Sequence, residues 1–512
     1  MVDEPSRRSP TVYHHPGEYV TDFCIVERRG LYHLFHIRGE RWTWPLGYKE
    51  LDLGHAVSKD LRTWHPREPV LPAGPPGSWD ATGIWAPDII QVGETYYMFY
   101  TGADEANNQA IGLATSTDLF TWEKYAGNPL VVPGPWSDRH VGHDVAGRDA
   151  MVFADTDRGR YLMYYTATLA DGRACIALAQ SQDLLHWEDL GPTYVEEDRS
   201  YDRLESAYLV PHGGRYYLFY SAKGGPKSKG FPPQAFAHFD IVYLVSDDPT
   251  GGWVKPANHE LLTGWTCASE HPTFGDTTYM LYIIQEELGG IWGASTLSDP
   301  KRMVWQPDGT VRIHEYVPEG VAREALFTDR ADGYTGWVRH GEGWQAWRAN
   351  LMAASSPGED SYLMNTLWGT DLALEAQVQA GPDGVASLLV RSNPSALAGY
   401  RISLDFGRGV VGFYRSFPGA PDQPLQERPV TLSGDAFHRL KVVVQGKFFE
   451  IYVDDALTIV RDEATYPEGC FGLHARGQAR FQDVWAYRYV DAEGEDPTWH
   501  RRCTPRHLFP SQ

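Results

Sequence analysis

The chain is poor in cysteine and in cationic side chains. Only five of its 512 residues are cysteines, and none stands in a Cys-x-x-Cys pair, so we expect neither a disulfide framework nor a zinc site. Asp and Glu outnumber Lys and Arg by 67 to 45, and the formal net charge is −22. A surface of that sign repels nucleic acid and anionic membranes but is compatible with a neutral substrate such as a carbohydrate.

Signals of several other protein classes are also missing. No apolar run reaches the length of a membrane-spanning helix, and the N-terminus lacks the apolar stretch of a secretion signal. Glycine-rich phosphate-binding motifs, the His-Glu-x-x-His metal motif and the Gly-x-Ser-x-Gly nucleophile elbow do not occur. We therefore expect a soluble, cytoplasmic protein with no cofactor and no metal site, whose partner is neither nucleic acid nor a membrane.

What the chain does have is a repeat rich in aromatic residues. Aromatic residues make up 13% of the sequence, and many stand in five copies of one pattern: a small turn, an aromatic strand, then Ser-x-Asp or a close variant and a Trp. A repeat of about 40–50 residues made of short strands is typical of a β-propeller, which gathers one strand end from each blade around an axial pocket. The copies run Gly30 to Trp64, Glu94 to Trp122, Gly159 to Trp187, Gly214 to Trp253 and Thr277 to Trp305.

The repeats divide the chain into segments of different pattern. Residues 1–16 are polar and are interpreted as an arm, and residues 17–315 hold the five repeats. A connector follows near residues 310–325. Residues 326–490 show longer alternating strands separated by turn signals, which predict a β-sandwich, and residues 491–512 are interpreted as a tail. The predicted fold is all-β: a five-bladed propeller followed by a C-terminal β-sandwich.

Three repeats carry an acidic residue about ten positions before the aromatic strand, on the strand predicted to be innermost. These residues are Asp22, Asp149 and Glu205. An unpaired buried carboxylate is costly, and carboxylates that converge on one axis raise the pKa of at least one of them. Glycoside hydrolysis needs such a set, because one carboxyl group must protonate the leaving oxygen while an ionised one acts as nucleophile or base.

At these residues the chain resembles the five-bladed propeller glycoside hydrolases of families 32, 68, 43 and 62, and family 32 (invertase, levanase and inulinase) most closely. Thr21-Asp22-Phe23 before the strand LYHLFH, Arg148-Asp149 and Glu205-Ser206 stand where family 32 carries its three acidic motifs. The residues beside the acids depart from that pattern: Phe23, Ala150 and Ser206 replace a Pro, a Pro and a Cys.

The resemblance implies that Asp22 is the nucleophile, that Glu205 is the general acid/base and that Asp149, with Arg148 beside it, stabilises the transition state. It implies a retaining hydrolase of a terminal furanoside, a β-fructofuranoside first of all, acting on an oligosaccharide or small glycoside. Family 43 would give an inverting arabinofuranosidase or xylosidase, with Asp22 as base. A fructosyl-type transglycosidase and a non-catalytic carbohydrate-binding protein stay open as alternatives.

Weaker candidates for substrate contacts lie near the predicted pocket, in the loop of the first repeat and at the strand entrances of the second and fifth. Aromatic rings there could stack on a sugar, and polar groups could bind its hydroxyls. They are Trp42, Trp44, Trp85, Asp88, Glu270 and His271.

Overall fold

The computed structural model describes residues 13, 17–41, 50–138, 146–198, 201–224, 239–288, 291–318, 321–328, 337–340, 343–347, 351–393 and 398–491. Trp42, Trp44, nearly all of the predicted arm and residues 492–512 of the predicted tail lie outside these ranges. Within them the secondary structure is β-strand, apart from a short 3₁₀ turn at Thr156–Arg158. The all-β prediction is therefore confirmed for the described residues.

The first four repeats each fold into a four-stranded antiparallel sheet, in which aromatic and β-branched residues form the buried strands and glycine occurs in the turns. The first sheet holds β1 (Glu18–Arg28), β2 (Leu31–Glu40), β3 (Leu53–Ser58) and β4 (His65–Val70). The second holds β5 (Gly83–Val92), β6 (Thr95–Ala103), β7 (Gln109–Ser116) and β8 (Glu123–Lys124). The third holds β9 (Ala146–Asp155), β10 (Arg160–Thr168), β11 (Ala174–Ser181) and β12 (Trp187–Val195). The fourth holds β13 (Tyr201–His212), β14 (Arg215–Gly224), β15 (Phe239–Ser246) and β16 (Glu260–Thr263).

The fifth repeat is continuous with the C-terminal sheet. Its central strand pairs with the strands on both sides, and its last strand makes a bridge from His314 to Ala456. The strands are β17 (Thr266–Glu270), β18 (Thr273–Phe274), β19 (Thr277–Leu288), β20 (Ile291–Leu297), β21 (Lys301–Trp305) and β22 (Val311–Glu315). The first strands β1, β5, β9, β13 and β17 each contact the next, and β17 contacts β1, so they form a closed ring in a propeller arrangement.

The C-terminal region is a β-rich unit with its own apolar core. The segment interpreted as a connector contains strand β22 and the start of β23, because β23 pairs along the last strand of the chain. The strands are β23 (Val321–Thr328), β24 (Trp337–His340), β25 (Gln345–Trp347), β26 (Leu351–Gly369), β27 (Leu372–Ala380), β28 (Val385–Ser392), β29 (Gly399–Asp405), β30 (Val410–Ser416), β31 (Gln423–Pro429), β32 (His438–Gln445), β33 (Phe448–Val453), β34 (Ala456–Asp462) and β35 (Gly469–Asp491). Strand β35 pairs with β23, β26, β27 and β28 and ties the unit together.

The Trp that closes each of repeats two to five packs against the aromatic strand of the preceding repeat. Trp122 contacts Phe35 edge-on at a centroid distance of 5.6 Å, and Trp187 contacts Phe99 at the same distance. These rings therefore pack between neighbouring repeats. The corresponding pairs in the later repeats are Trp253 with Tyr164 and Trp305 with Tyr217.

The Ser-x-Asp segments of the first three repeats form turns held by their Asp carboxylates. The Asp118 carboxylate accepts hydrogen bonds from the backbone N–H groups of Phe120 (2.8 Å) and Thr121 (2.7 Å). Asp60 and Asp183 accept two backbone N–H groups in the same way. These contacts stabilise the turns that follow the third strands of the first three repeats.

The C-terminal unit packs directly on the fourth and fifth repeats. One apolar cluster includes Tyr217 and Phe219 from the repeats and Val443 and Phe448 from the C-terminal unit. Ion pairs and hydrogen bonds cross the same boundary, including Lys301 to Glu450 at 2.7 Å and Arg428 to Thr263 at 2.8 Å. The unit therefore supports the blades that carry part of the axial pocket.

Candidate active site

The innermost strand of every repeat is interrupted at one point, where a non-glycine residue has a positive φ. In the first four repeats the ladder between the first and second strands shifts register at that position, and in the fifth repeat the ladder between β17 and β19 does. Such backbone is strained for residues with a Cβ, and strain of this kind clusters at functional sites. The residues are Asp22 (φ 23°), Ala86 (φ 44°), Asp149 (φ 58°), Ser206 (φ 53°) and Ala268 (φ 46°).

These five interruptions line one pocket of about 280 Å³ that opens to solvent. Its wall is built from the interrupted positions and the residues that follow them, so every repeat contributes to it. The lining residues are Asp22, Phe23, Ala86, Pro87, Asp149, Ala150, Met151, Ser206, Ala207, Ala268 and Glu270. Two of the three acidic residues singled out from the repeats, Asp22 and Asp149, thus face the same pocket.

Ser206 connects these two carboxyl groups. Its hydroxyl donates a hydrogen bond to Oδ1 of Asp22 at 2.8 Å, and its backbone N–H donates to Oδ2 of Asp149 at 3.0 Å. Thr166 donates its hydroxyl to the same oxygen of Asp149 at 3.3 Å. The acids of the first and third repeats are therefore joined through the fourth repeat.

Glu205 lies one residue before the interruption of the fourth repeat, whereas Asp22 and Asp149 lie at the interruptions themselves. The matched position predicted for all three acids is thus wrong by one residue for Glu205. Arg148, which precedes the interruption of the third repeat, donates a hydrogen bond to Oε1 of Glu205. Arg203 approaches the same oxygen at 3.5 Å. Glu205 is held beside the pocket by two guanidinium groups and is not among its lining residues.

The electrostatics of the pocket favour protonation of its acids. Burial raises the pKa of Asp22 well above its usual range, and the neighbouring Asp149 and Glu205 charges raise it further. The Ser206 hydroxyl and the Arg148 charge act in the opposite direction. Burial also raises the pKa of Asp149, against the charge of Arg148. The ionisation of Asp22 is therefore coupled to the charge of Asp149.

Two more acids lie on the side of the pocket formed by the second and fifth repeats. Burial, with Asp88 and Asp22 nearby, raises the pKa of Glu270 well above its usual range. Burial raises the pKa of Asp88 to about 7, although the Val152 N–H donates a hydrogen bond to Asp88 at 2.7 Å. Glu270 lines the pocket, while Asp88 is buried behind its wall and bonds to backbone.

The remaining weaker candidates lie outside the pocket lining. His271 is buried, with Nε2 at 3.1 Å from the Ser269 hydroxyl and its ring stacked on Phe219 at 4.0 Å. It is a core residue at the boundary of repeats four and five. Trp85 directly precedes the interruption at Ala86, which is the position held by Arg148 and Glu205 in their own repeats.

Sequence reasoning noted Ser206 only as a departure from a motif and missed the supporting hydroxyls on the second strands. Thr101 accepts the backbone N–H of Asp149 at 3.1 Å, and Ser221 accepts that of Ala268 at 2.8 Å. Each hydroxyl satisfies an N–H that the interrupted ladder would leave free. A signal for them exists, because Thr101, Thr166 and Ser221 each directly follow a Tyr near the end of the aromatic strand.

The described residues also bear on other kinds of site. They hold no group of three or more His, Cys, Asp or Glu side chains that could bind a metal ion. None of their helices has the length and apolar character to cross a membrane. Cys24, Cys175, Cys267 and Cys470 are buried free thiols.

Comparisons with known proteins agree with this geometry. Residues 24–230 match the model of the glycosyl hydrolases family 32 N-terminal domain, so the predicted resemblance is confirmed. The chain is 31% identical to a levanase of Bacillus sp. (strain L7) over 491 residues, covering 86% of this chain and 47% of the levanase. It is 29% identical over 180 residues to a probable arabinan endo-1,5-alpha-L-arabinosidase C of Aspergillus niger, covering 34% of this chain and 52% of that protein.

Among solved structures, fructan 1-exohydrolase IIa from Cichorium intybus aligns with a TM-score of 0.68 and 16% identity, over 95% of this chain and 98% of that chain. That similarity shows a shared fold along nearly the whole length. The chain spans about half the length of the curated levanase and arabinosidase.

Proposed function

We propose that the chain is a glycoside hydrolase that removes a terminal furanoside, a β-fructofuranoside first of all, from an oligosaccharide or small glycoside. The observation that carries the proposal is the carboxyl cluster, in which Ser206 bonds Asp22 and Asp149 while Arg148 holds Glu205 beside them. The match of residues 24–230 to the family 32 domain and the levanase similarity support the same activity.

We infer that the catalytic unit is a five-bladed propeller and that the C-terminal unit is a β-sandwich. The closed ring of β1, β5, β9, β13 and β17 supports five blades, since each repeat contributes one strand to it. The shared apolar cluster supports a structural role for the sandwich, as a domain that packs on the propeller rather than one that binds carbohydrate by itself.

The position of the pocket favours action on the end of a chain. It lies where the innermost strands of all five repeats meet, and residues from every repeat line it. We therefore propose an exo mode of cleavage, with the rest of the glycoside at the pocket mouth and Trp85, which precedes the lining residue Ala86, as its proposed stacking partner.

The proposed mechanism is retaining. Glu205 donates a proton to the leaving oxygen while the ionised carboxylate of Asp22 attacks the anomeric carbon and forms a covalent glycosyl-enzyme. Glu205 then takes a proton from water, which attacks the same carbon and releases Asp22. Asp149 accepts hydrogen bonds from sugar hydroxyls and, with Arg148, stabilises the charge that develops in the transition state.

The test is a sugar-release assay on sucrose, inulin and levan oligosaccharides, and on nitrophenyl arabinofuranosides and xylosides. Wild type is compared with Asp22→Asn and Glu205→Gln, which keep side-chain volume and remove the ionisable group. We expect fructose release by wild type and a loss of at least about 10³-fold in each variant, since each removes a group that acts directly in the reaction. Fructose release that survives both substitutions would overturn the assignment of the site.

A second candidate is an inverting hydrolase of family 43 type that releases a pentose. The similarity to the arabinan arabinosidase and the Trp85-Ala86-Pro87-Asp88 segment favour it. Asp22 would then be a general base that activates water. The same panel separates the two, because pentose release without fructose release supports the second candidate. Binding of fructosides without turnover would instead support a non-catalytic binding protein, and transfer to an added sugar acceptor would support a transglycosidase.

A further inference from the structure

Ser206 occupies an unusual place in the carboxyl cluster. It follows Glu205 directly in sequence, and its φ of 53° turns the strand so that the backbone N–H and the hydroxyl serve different partners. The N–H donates to Asp149 at 3.0 Å and the hydroxyl donates to Asp22 at 2.8 Å. Ser206 therefore hydrogen-bonds to two of the acids and directly follows the third, Glu205, in sequence.

The surroundings of Asp22 explain why that hydroxyl matters. The acids that face Asp22 are Asp149, Glu205 and Glu270, and the Cys267 thiol also lies near it. Arg148 is the cation that interacts with Asp22, but it donates to Glu205 and lies 3.6 Å from Asp149.

Asp22 has several charged neighbours but accepts few direct hydrogen bonds. Across the described ranges, the Ser206 hydroxyl is the only side-chain or backbone group that donates a hydrogen bond to the Asp22 carboxylate. A nucleophilic carboxylate must be ionised, and a hydrogen bond to the charged form favours ionisation.

We propose that Ser206 is a positioning residue whose hydroxyl keeps Asp22 ionised and fixes the attacking oxygen. This inference rests on the proposed function, in which Asp22 is the nucleophile. A hydrogen bond to an ionised group is stronger than one to a neutral group, so loss of this donor is felt mainly by the charged form of Asp22. The backbone bond from Ser206 to Asp149 does not depend on the side chain and is retained in substitutions.

The experiment uses three variants of the full chain. Ser206→Ala removes the hydroxyl and keeps the Cβ, Ser206→Gly removes it and relieves the positive φ, and Ser206→Cys supplies a weaker donor. The first readout is a ¹³C NMR titration of protein labelled at aspartate carboxyl carbons, with the Asp22 signal identified by its absence in Asp22→Asn. We expect Asp22 to titrate at higher pH in the Ala and Gly variants than in wild type, with the Cys variant between them.

The second readout is kcat/KM against pH, whose acid limb reports ionisation of the free enzyme. At pH values on the acid side of that limb, kcat/KM of the Ala and Gly variants should be about tenfold lower than that of wild type, because the hydrogen bond to the charged Asp22 carboxylate is lost. Ser206→Gly should unfold at a temperature no lower than Ser206→Ala, which separates the effect of the hydroxyl from backbone strain.

The matched control is Ser221→Ala. Ser221 is also a buried serine, and its hydroxyl accepts the backbone N–H of Ala268; in the part of the chain that the structure describes it donates no hydrogen bond to a carboxylate. We expect it to lower thermal stability without moving the Asp22 titration. An unchanged Asp22 titration in both Ser206→Ala and Ser206→Gly would overturn the inference. Absence of sugar release by wild type, together with a shifted titration, would instead overturn the proposed function.

Discussion

The contact between the C-terminal unit and the fifth repeat depends on a buried ion pair, and its removal should be costly. Lys301 is 3% exposed, and its ammonium lies 2.7 Å from Oε1 of Glu450. Tyr452 donates a hydrogen bond to the other oxygen of Glu450 at 2.6 Å, and Tyr282 donates to Oε1 at 3.3 Å. Lys301→Met keeps most of the side-chain volume but leaves the Glu450 carboxylate without its cation.

A loss is expected because the remaining Glu450 carboxylate, on a side chain that is 15% exposed, is largely removed from water. Removing one partner of a buried pair costs about 3–5 kcal/mol in the free energy of unfolding. Replacing Glu450 by Gln in the same protein removes the stranded charge and keeps an acceptor for the tyrosine hydroxyls. We therefore expect Lys301→Met with Glu450→Gln to recover at least half of the loss.

The assay is urea unfolding followed by tryptophan fluorescence. The control is Arg408→Met, which breaks the 2.7 Å pair with Glu427 on the surface of the same unit, where the Arg408 side chain is 54% exposed. An exposed pair contributes about 0–1 kcal/mol, so this variant should unfold almost as wild type does. The reasoning is refuted if Lys301→Met costs no more than the control, or if Glu450→Gln recovers nothing in the Lys301→Met background.

Two further predictions concern pH and stability. Burial raises the pKa of Glu270, so folding opposes ionisation of this carboxyl group. The resulting loss of folding stability is absent below the ordinary pKa of 4.5 and grows as pH rises above it. Glu270→Gln should therefore raise the thermal unfolding midpoint at pH 7 but not at pH 4. Burial lowers the pKa of His33 to about 4 and that of His55 to about 3. The fold is therefore most stable with both side chains neutral, above pH 6.5, and this stability is lost as pH falls below 6.5. His55→Phe, whose ring can stack on Phe35 as His55 does, should reduce the loss of stability measured by urea unfolding between pH 6.5 and pH 4. An equal loss in wild type and variant would contradict a lowered pKa of His55 as its cause.

The propeller arrangement could be predicted because its signals are local. Each repeat carries an aromatic strand, a Ser-x-Asp turn or a close variant, and a Trp, and the turn contacts of Asp118 follow from those neighbouring residues alone. The pairing of β23 with β35 could not be predicted in this way. Their partners, such as Val321 and Asp491, lie far apart in sequence, so the segment near residue 320 looks like a connector.

The candidate site was predicted in composition but not in register. Counting back from the aromatic strand treats the innermost strands as regular, whereas each contains an interruption that shifts the pairing. That shift places Ser206, and not Glu205, at the position of Asp22 and Asp149. His271 lies one position beyond Glu270, after the end of β17, where its buried ring stacks on Phe219 and is not among the residues that line the pocket.

The measurement that tests the central claim most directly is the configuration of the first sugar released. Hydrolysis of a levan or inulin oligosaccharide is followed by NMR during the first turnovers, before the product equilibrates. Attack by Asp22 and then by water inverts the anomeric carbon twice, so the account predicts that fructose appears first as the β-anomer and that Asp22→Asn abolishes its appearance. Fructose that appears first as the α-anomer would contradict Asp22 as the nucleophile.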